Sequence, residues 1–368
     1  MLQKDKLGQN MMTYLIGQLP PELSPLIPVS EEMTAHTLVG GFEVHIDQDG
    51  HRGITTPIAR LYLREIARAR VGDKLIILQK SLTQPQINHA LVDAALWGVE
   101  VIAVYRDKLN PECLAVVPSA LQAACYKIFR KSPHPHHKSM MLLQRDGTVR
   151  AIIGSYNTRR QKAGERQPRT HTALFFTMQR GRDLFAFYQA EVDRLFGRPA
   201  SSPKTLAFNT RFGIMKFVMH PNRTSPVLEL LNNVSTCPNT AIWLSYYNAL
   251  PDSHIGLPVF IKLNDLCRRG CRVRILLDAN DENRAAYEKA RQLHLDIRWA
   301  KFPSGSAMLG HKLVLARTLD EVHIMQSSAN LSASQHLHKH NLTLYLRGQG
   351  FHPIYQILEK EISRYWRR

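Results

Sequence analysis

Two stretches of the chain repeat one order of apolar and polar positions. From Lys74, KLIILQK is apolar enough for a buried strand, and a polar linker follows. Next, Ile87, Leu91, Ala94 and Ala95 recur at helical spacing, before a second strand from Val99 to Tyr105. From Thr240, TAIWLSYYNALPDSHIGLPVFIKLNDLCRRGCRVRILLDAN reads strand, loop, helix and strand again. Gly98 and Gly270 stand at corresponding helix C-termini, where a left-handed cap favours glycine.

The correspondence continues downstream. HHKSMMLLQRDGTVRAIIGSYN, from His136 to Asn157, matches GHKLVLARTLDEVHIMQSSAN, from Gly310 to Asn330. Lys138 precedes Asp146 by eight positions and Lys312 precedes Asp320 by eight. A β-like segment follows in each, THTALFF from Thr170 and NLTLYL from Asn341, and each half closes on a helix, with Glu191 and Arg194 or Glu361 and Arg364. An internal repeat of this kind sets the architecture before any local feature does. Alternating strands and helices predict an α/β fold of two similar α/β/α units related by pseudo-two-fold symmetry. The halves span residues 52–198 and 214–368, joined by a linker over 199–213 that opens in the Pro/Ser/Gly-rich run from Gly197 to Pro203. Residues 1–51, with Pro20, Pro21, Pro25, Pro28 and the turn-like Asp47 to Gly50, read as an irregular N-terminal extension.

Charge narrows the partners. Across 368 residues, 48 Lys and Arg against 30 Asp and Glu leave +18, a field that concentrates polyanions: DNA, RNA or anionic lipid. The five cysteines are odd in number and scattered without a CxxC pair, which fits a reducing, cytoplasmic compartment. The apolar run from Met11 to Leu19 is broken by Gly17 and Gln18 and then by Pro20 and Pro21, so it is not read as a signal peptide, and no run is long enough for a transmembrane helix.

The candidate chemistry sits in the second repeated block. His136-x-Lys138 followed by Gly154-Ser155-x-Asn157 resembles the HxK…GSxN signature of the phospholipase D superfamily, and the resemblance extends over both repeats. The spacing has its own logic: residues two apart in a strand share a face, so His136 and Lys138 reach one phosphate while His137 points away. A neutral imidazole attacks phosphorus to give a covalent intermediate. Lys138 and the Asn157 amide meet charge on the non-bridging oxygens, with Ser155 supporting, and neither a metal nor a cofactor is required.

The second half departs from that pattern. Aligning Lys312 with Lys138 puts Gly310 where the histidine belongs and leaves His311 on the opposite face, unless a β-bulge at Gly310 swings it back. Ser327-Ser328-Ala329-Asn330 replaces GSxN but keeps the polar groups of Ser328 and Asn330. The family's motif Asp falls on Leu143 and Arg317; Asp146 and Asp320, three further on, read as turn residues. The resemblance implies that the halves face each other, with His136 and His311 sharing the roles of nucleophile and general acid.

After Asn157 come Arg159, Arg160, Lys162, Arg166 and Arg169 against a single Glu165, cations placed to grip neighbouring phosphates of a polymer. His336, His338 and His340 alternate in the second half; with no Cys or carboxylate beside them, they read as a pH-sensitive polar rim rather than zinc ligands. Three functions remain: a nuclease, favoured by these features; a phospholipase or phosphatidyltransferase on anionic lipid, which the same chemistry serves; and a catalytically weakened nucleic-acid-binding protein, which Gly310 keeps open. Either a monomer or a homodimer fits.

Overall fold

The computed structural model describes residues 14–15, 39–47, 56–105, 125–127, 134–157, 169–200, 202–222, 225–234, 237–251, 254–302 and 308–366. The first part of the chain runs β1 (Tyr14–Leu15), β2 (Val39–Asp47), α1 (Pro57–Arg68), β3 (Lys74–Gln79), α2 (Pro85–Leu96), β4 (Glu100–Tyr105), β5 (Cys125–Lys127), β6 (His134–Pro135), β7 (Lys138–Leu143), β8 (Val149–Gly154), β9 (Arg169–Met178) and α3 (Arg182–Leu195). Then follow β10 (Thr205–Thr210), β11 (Gly213–Met219), α4 (Pro226–Asn233), β12 (Ala241–Tyr246), α5 (Gly256–Arg268), β13 (Arg272–Leu277), α6 (Arg284–Gln292), β14 (Asp296–Trp299) and β15 (Met308–Leu309). The chain ends with β16 (Lys312–Arg317), β17 (Val322–Ser327), α7 (Ala333–Leu337), β18 (Lys339–His340), β19 (Leu342–Gly348) and α8 (His352–Trp366).

Local chemistry sets several of these boundaries. Thr56 caps α1 by accepting from Ala59 N, and Ser225 caps α4 by accepting from Leu228 N; each cap precedes a proline at the first helical position, where the missing N–H costs nothing. Gly98 and Gly270 take φ of 83° and 94° after α2 and α5, as the left-handed cap requires.

The strands assemble as one topology used twice. The first sheet is ordered β1-β2-β9-β8-β7-β3-β4-β5 and the second β10-β11-β19-β17-β16-β12-β13-β14. Position for position, β7 corresponds to β16, β8 to β17 and β9 to β19. In each sheet a crossover helix joins a parallel pair, β3–β4 or β12–β13, whose first strand also runs antiparallel to the motif strand. One apolar core joins the facing sides of both sheets with α3 and α8, through residues such as Phe176, Phe217, Tyr188 and Tyr355. Two further cores lie on the outer sides, under α1 and α2 for the first sheet and under α4, α5 and α6 for the second.

Three expectations change. Val39–Asp47, assigned by its surroundings to an irregular extension, is β2, in register with β9 from Phe42↔Phe176 to Asp47↔His171; it is the counterpart of β11. Composition marked 199–213 as linker, yet Thr205–Thr210 is a strand paired with β11. β2 owes its place to pairing with the distant β9, and β10 to its hairpin with β11; composition reports neither. Cys237 and Cys271 form a disulfide with Cα atoms 5.1 Å apart, where scattered, unpaired cysteines were expected. Among the described residues no helix is long and apolar enough to cross a membrane.

Two matched bridges join the halves. β6, just before the first motif strand, pairs in parallel with β18, and β15, just before the second, pairs with the start of β9. Each half therefore presses the residues ahead of its motif lysine against the other half.

Candidate active site

Lys138 opens β7 opposite Gln79, at the C-terminal end of β3, and Lys312 opens β16 opposite Tyr246 at the equivalent place. Both lysines are buried. Lys138 Nζ donates to the carbonyl of His136 at 2.9 Å and to that of Ser328, from the other half, at 3.4 Å. Lys312 Nζ donates to the carbonyl of Gly310 at 3.3 Å.

Two acceptors from the second half face Nδ1 of His136. Asn341 donates through Nδ2 to the carbonyls of Gln335 (2.8 Å) and Lys339 (3.3 Å), so its Oδ1 is the atom that faces His136 Nδ1, at 3.0 Å. The carbonyl of Ser328 lies 3.2 Å from the same nitrogen. Lys138 Nζ is a third neighbour of Nδ1, at 3.1 Å, and also donates to the carbonyls of His136 and Ser328; the two acceptors, Asn341 Oδ1 and the Ser328 carbonyl, favour the tautomer with the proton on Nδ1 and the lone pair on Nε2. Burial, then the charges of Lys138, Lys80 and Lys312, hold the His136 imidazole well below the ordinary histidine range, against a weaker opposing pull from Asn341. His136 is thus a neutral imidazole among ammonium groups from both halves.

The second half is built differently at one position. Ahead of β16, the His311 carbonyl accepts from Tyr247 N at 2.9 Å just as the His137 carbonyl accepts from Lys80 N at 3.0 Å, so His311 occupies the place of His137 rather than of His136. It is fully buried, with Nδ1 3.2 Å from Ser245 Oγ and its ring 6.1 Å from that of Tyr365. Burial, with a smaller push from Lys312, lowers it to about 3. Of the two arrangements the sequence left open, the swing of His311 toward Lys312 and Asn330 is not the one seen: its ring turns to Ser245 and Tyr365. Gly310 stands opposite Thr170, donating to its carbonyl at 2.8 Å.

Ser155 and Ser328 hold matching turns. Ser155 Oγ accepts from Thr172 N at 3.2 Å and lies 3.3 Å from His171 Nδ1, while Ser328 Oγ accepts from Leu342 N and donates to Asn341 Oδ1 at 3.1 Å. Asn157 and Asn330 follow at equivalent positions, and in each the carboxamide oxygen is buried with no hydrogen-bond partner among the described residues. Asp146 is a turn residue, accepting from Thr148 N at 2.8 Å. Arg159, Arg160, Lys162 and Arg166 lie outside the described residues; Arg169 opens β9, paired with Met308.

A carboxylate does accompany the second-half histidines. Glu191 Oε1 accepts from His340 Nδ1 (2.6 Å) and His137 Nε2 (3.1 Å), and its Oε2 from Arg194 (3.1 Å). The three ligand-type atoms of His137, Glu191 and His340 lie within 4.8 Å of one another. Both carboxylate oxygens accept from these donors, so the group reads as a hydrogen-bond network, in which His137 Nδ1 is buried without a partner among the described residues. Its effect is to anchor the segment around His136, whose N–H donates to the His340 carbonyl at 2.7 Å.

Sequence reasoning missed Asn341, His171, Glu191 and Lys80 as parts of this site. The first two hold equivalent positions at the start of the segment that follows each motif, and aligning those segments residue by residue is the one signal that points to them.

No family model and no curated protein matches the sequence. Among solved structures, phosphatidylserine synthase from Haemophilus influenzae aligns at 11% identity over 87% of this chain and 85% of its own, with a TM-score of 0.56. Polyphosphate kinase from Porphyromonas gingivalis aligns at 13% identity over 78% of this chain, with a TM-score of 0.51, and this chain spans 45% of its length. A single-residue mutant of yeast tyrosyl-DNA phosphodiesterase aligns at 12% identity over 82% of this chain and 90% of its own, with a TM-score of 0.50. All three belong to one superfamily, and their alignments run across both halves. The chain has the phospholipase D superfamily fold.

Proposed function

We propose that the chain is a metal-independent phosphodiesterase that forms a phosphohistidine on His136, with nucleic acid as its substrate. One observation carries the reading: Nδ1 of His136 faces two acceptors from the other half, Asn341 Oδ1 and the Ser328 carbonyl, a pairing that favours an unprotonated Nε2 in the field of Lys138, Lys80 and Lys312. A phosphodiester drawn into that field meets a nucleophile already in its reactive form. Lys138 and Lys312 then oppose charge on the non-bridging oxygens, and Asn157 and Asn330 turn their carboxamide N–H groups to them.

The net charge of +18 and the five cations following Asn157 support a polymer of phosphates as substrate. Anionic lipid has one observation in its favour, the exposed apolar group of Val71, Leu96 and Trp97. Those residues precede β3 and β4, whereas His136 lies at the C-terminal end of β3. Six residues of strand at ~3.3 Å each separate the two by roughly 20 Å, too far for a headgroup on that patch to reach Nε2.

The test is incubation of purified protein with plasmid DNA, RNA oligonucleotides and anionic liposomes, with and without excess EDTA. Cleavage of nucleic acid that persists in EDTA is expected. Loss with EDTA and recovery with Mg²⁺ or Zn²⁺ overturns the mechanism, headgroup release from liposomes alone overturns the substrate, and binding without cleavage leaves a weakened nucleic-acid-binding protein.

A further inference from the structure

The first half holds its histidine, His136, against Asn341 of the second half. The repeat predicts a mirror contact in which a histidine at position 310 meets residue 171. Instead position 310 is glycine and position 171 is histidine. The correspondence is fixed by register: β8 meets β9 as Gly154↔Ala173 and β17 meets β19 as Ser327↔Thr343, so His171 is the counterpart of Asn341. The serine contacts agree, with Ser155 Oγ 3.3 Å from His171 Nδ1 where Ser328 Oγ is 3.1 Å from Asn341 Oδ1.

The His171 ring lies over Gly310. A Cβ at position 310 would fall 2.5 Å from His171 Nδ1, 2.7 Å from its Cε1 and 2.2 Å from the Thr170 carbonyl oxygen. The Thr170 carbonyl excludes a Cβ at 310 in this backbone, and the His171 ring fills the space beside it that such a side chain would enter. The imidazole has moved from one side of this contact to the other. Its surroundings remain those of the site: Lys312 Nζ is 3.3 Å from the Gly310 carbonyl beneath it, and the same ammonium is among the charges acting on His136. Tyr156, between Ser155 and Asn157, packs its ring edge-on at 5.5 Å, and Asp47 stands in register with His171 across β2–β9.

We propose that His171 is the second catalytic histidine, acting across the pseudo-two-fold axis from His136 as general acid and then general base. The proposal rests on the phosphodiesterase reading. In the first step the Nε2 lone pair of His136 forms a bond to phosphorus, the bond from phosphorus to the leaving oxygen breaks, and that oxygen takes a proton from His171. In the second, water attacks the phosphohistidine, its proton passes to the now neutral His171, and the P–N bond breaks, returning both imidazoles to their starting states. Gly310 thus marks a relocated acid rather than a lost one.

The experiment compares wild type with His171→Gln and His171→Asn, the second reproducing the residue found at 341, on an oligonucleotide and on thymidine 5′-(p-nitrophenyl phosphate). The alkoxide leaving group needs a proton and the nitrophenolate does not. Loss of a general acid costs about 10²- to 10⁴-fold, so that loss is expected on the oligonucleotide, with the aryl ester cleaved within about tenfold of wild type, for both variants. Equal loss on both substrates, or none on either, in folded variants overturns the proposal while wild-type cleavage leaves the phosphodiesterase reading standing. The same split appearing in His311→Gln instead assigns the acid to His311 and overturns it too. A wild-type protein inactive on every phosphodiester removes both.

Discussion

The carboxamide oxygen of Asn341 lies 3.0 Å from Nδ1 of His136, across the boundary between the two halves. On the proposed mechanism this contact favours Nε2 as the attacking nitrogen, and it does so without a charge. A carboxylate in the same place would raise the imidazole, whereas the neutral amide leaves burial and three lysines to keep it deprotonated.

Asn341→Asp tests that difference. The substitution keeps the size of the side chain and adds a negative charge beside Nδ1, so the acidic limb of the kcat/KM profile should move to higher pH. Activity near pH 8 should persist while activity near pH 6 falls. Asn341→Leu removes this acceptor and should cost roughly 10- to 100-fold at every pH, the scale of losses when the partner that orients a functional histidine is removed. Parallel profiles for wild type and Asn341→Asp would show that Asn341 does not face the working imidazole.

Acid should unfold the protein early. His136 and His220 are held well below the ordinary range, His336 at about 4 and His311 at about 3, each chiefly by burial. In the unfolded chain these groups bind protons near pH 6.5, so their contribution is intact above that pH and declines as pH falls toward the folded values. Glu191, lowered to about 2 by its hydrogen bonds with His137 and His340 against the cost of burial, adds a second loss between about 4.5 and 2. Urea unfolding at pH 7.5, 6.0, 5.0 and 4.0 should give free energies that fall monotonically, at up to ~1.4 kcal/mol per pH unit for each such histidine. A flat profile from 7.5 to 4.5 would mean that these histidines already carry protons in the fold.

The cations after Asn157 should set the salt dependence of nucleic-acid binding. Replacing Arg159, Arg160 and Lys162 with Ala should weaken binding and lower the slope of log Kd against log salt by roughly one unit per lost phosphate contact. An unchanged slope would mean that these side chains touch solvent alone.

The sequence by itself determined the duplicated α/β order, the motif strands and the first-half pair His136 and Lys138. These rest on periodicity and on residues two apart sharing a strand face, both local properties of the chain. It also marked Gly310 as an anomaly without saying what the anomaly meant. Only tertiary structure decided that Val39–Asp47 is a strand, because its pairing partner, β9, lies more than a hundred residues away. Only tertiary structure placed His311 with His137, since their carbonyls accept from Tyr247 N and Lys80 N, equivalent donors at the ends of β12 and β3 that the local sequence does not specify. And only the meeting of the halves put Asn341 on His136 and His171 over Gly310. These contacts join residues some 140 to 205 positions apart, a separation over which a sequence pattern carries no orientation and packing alone supplies it.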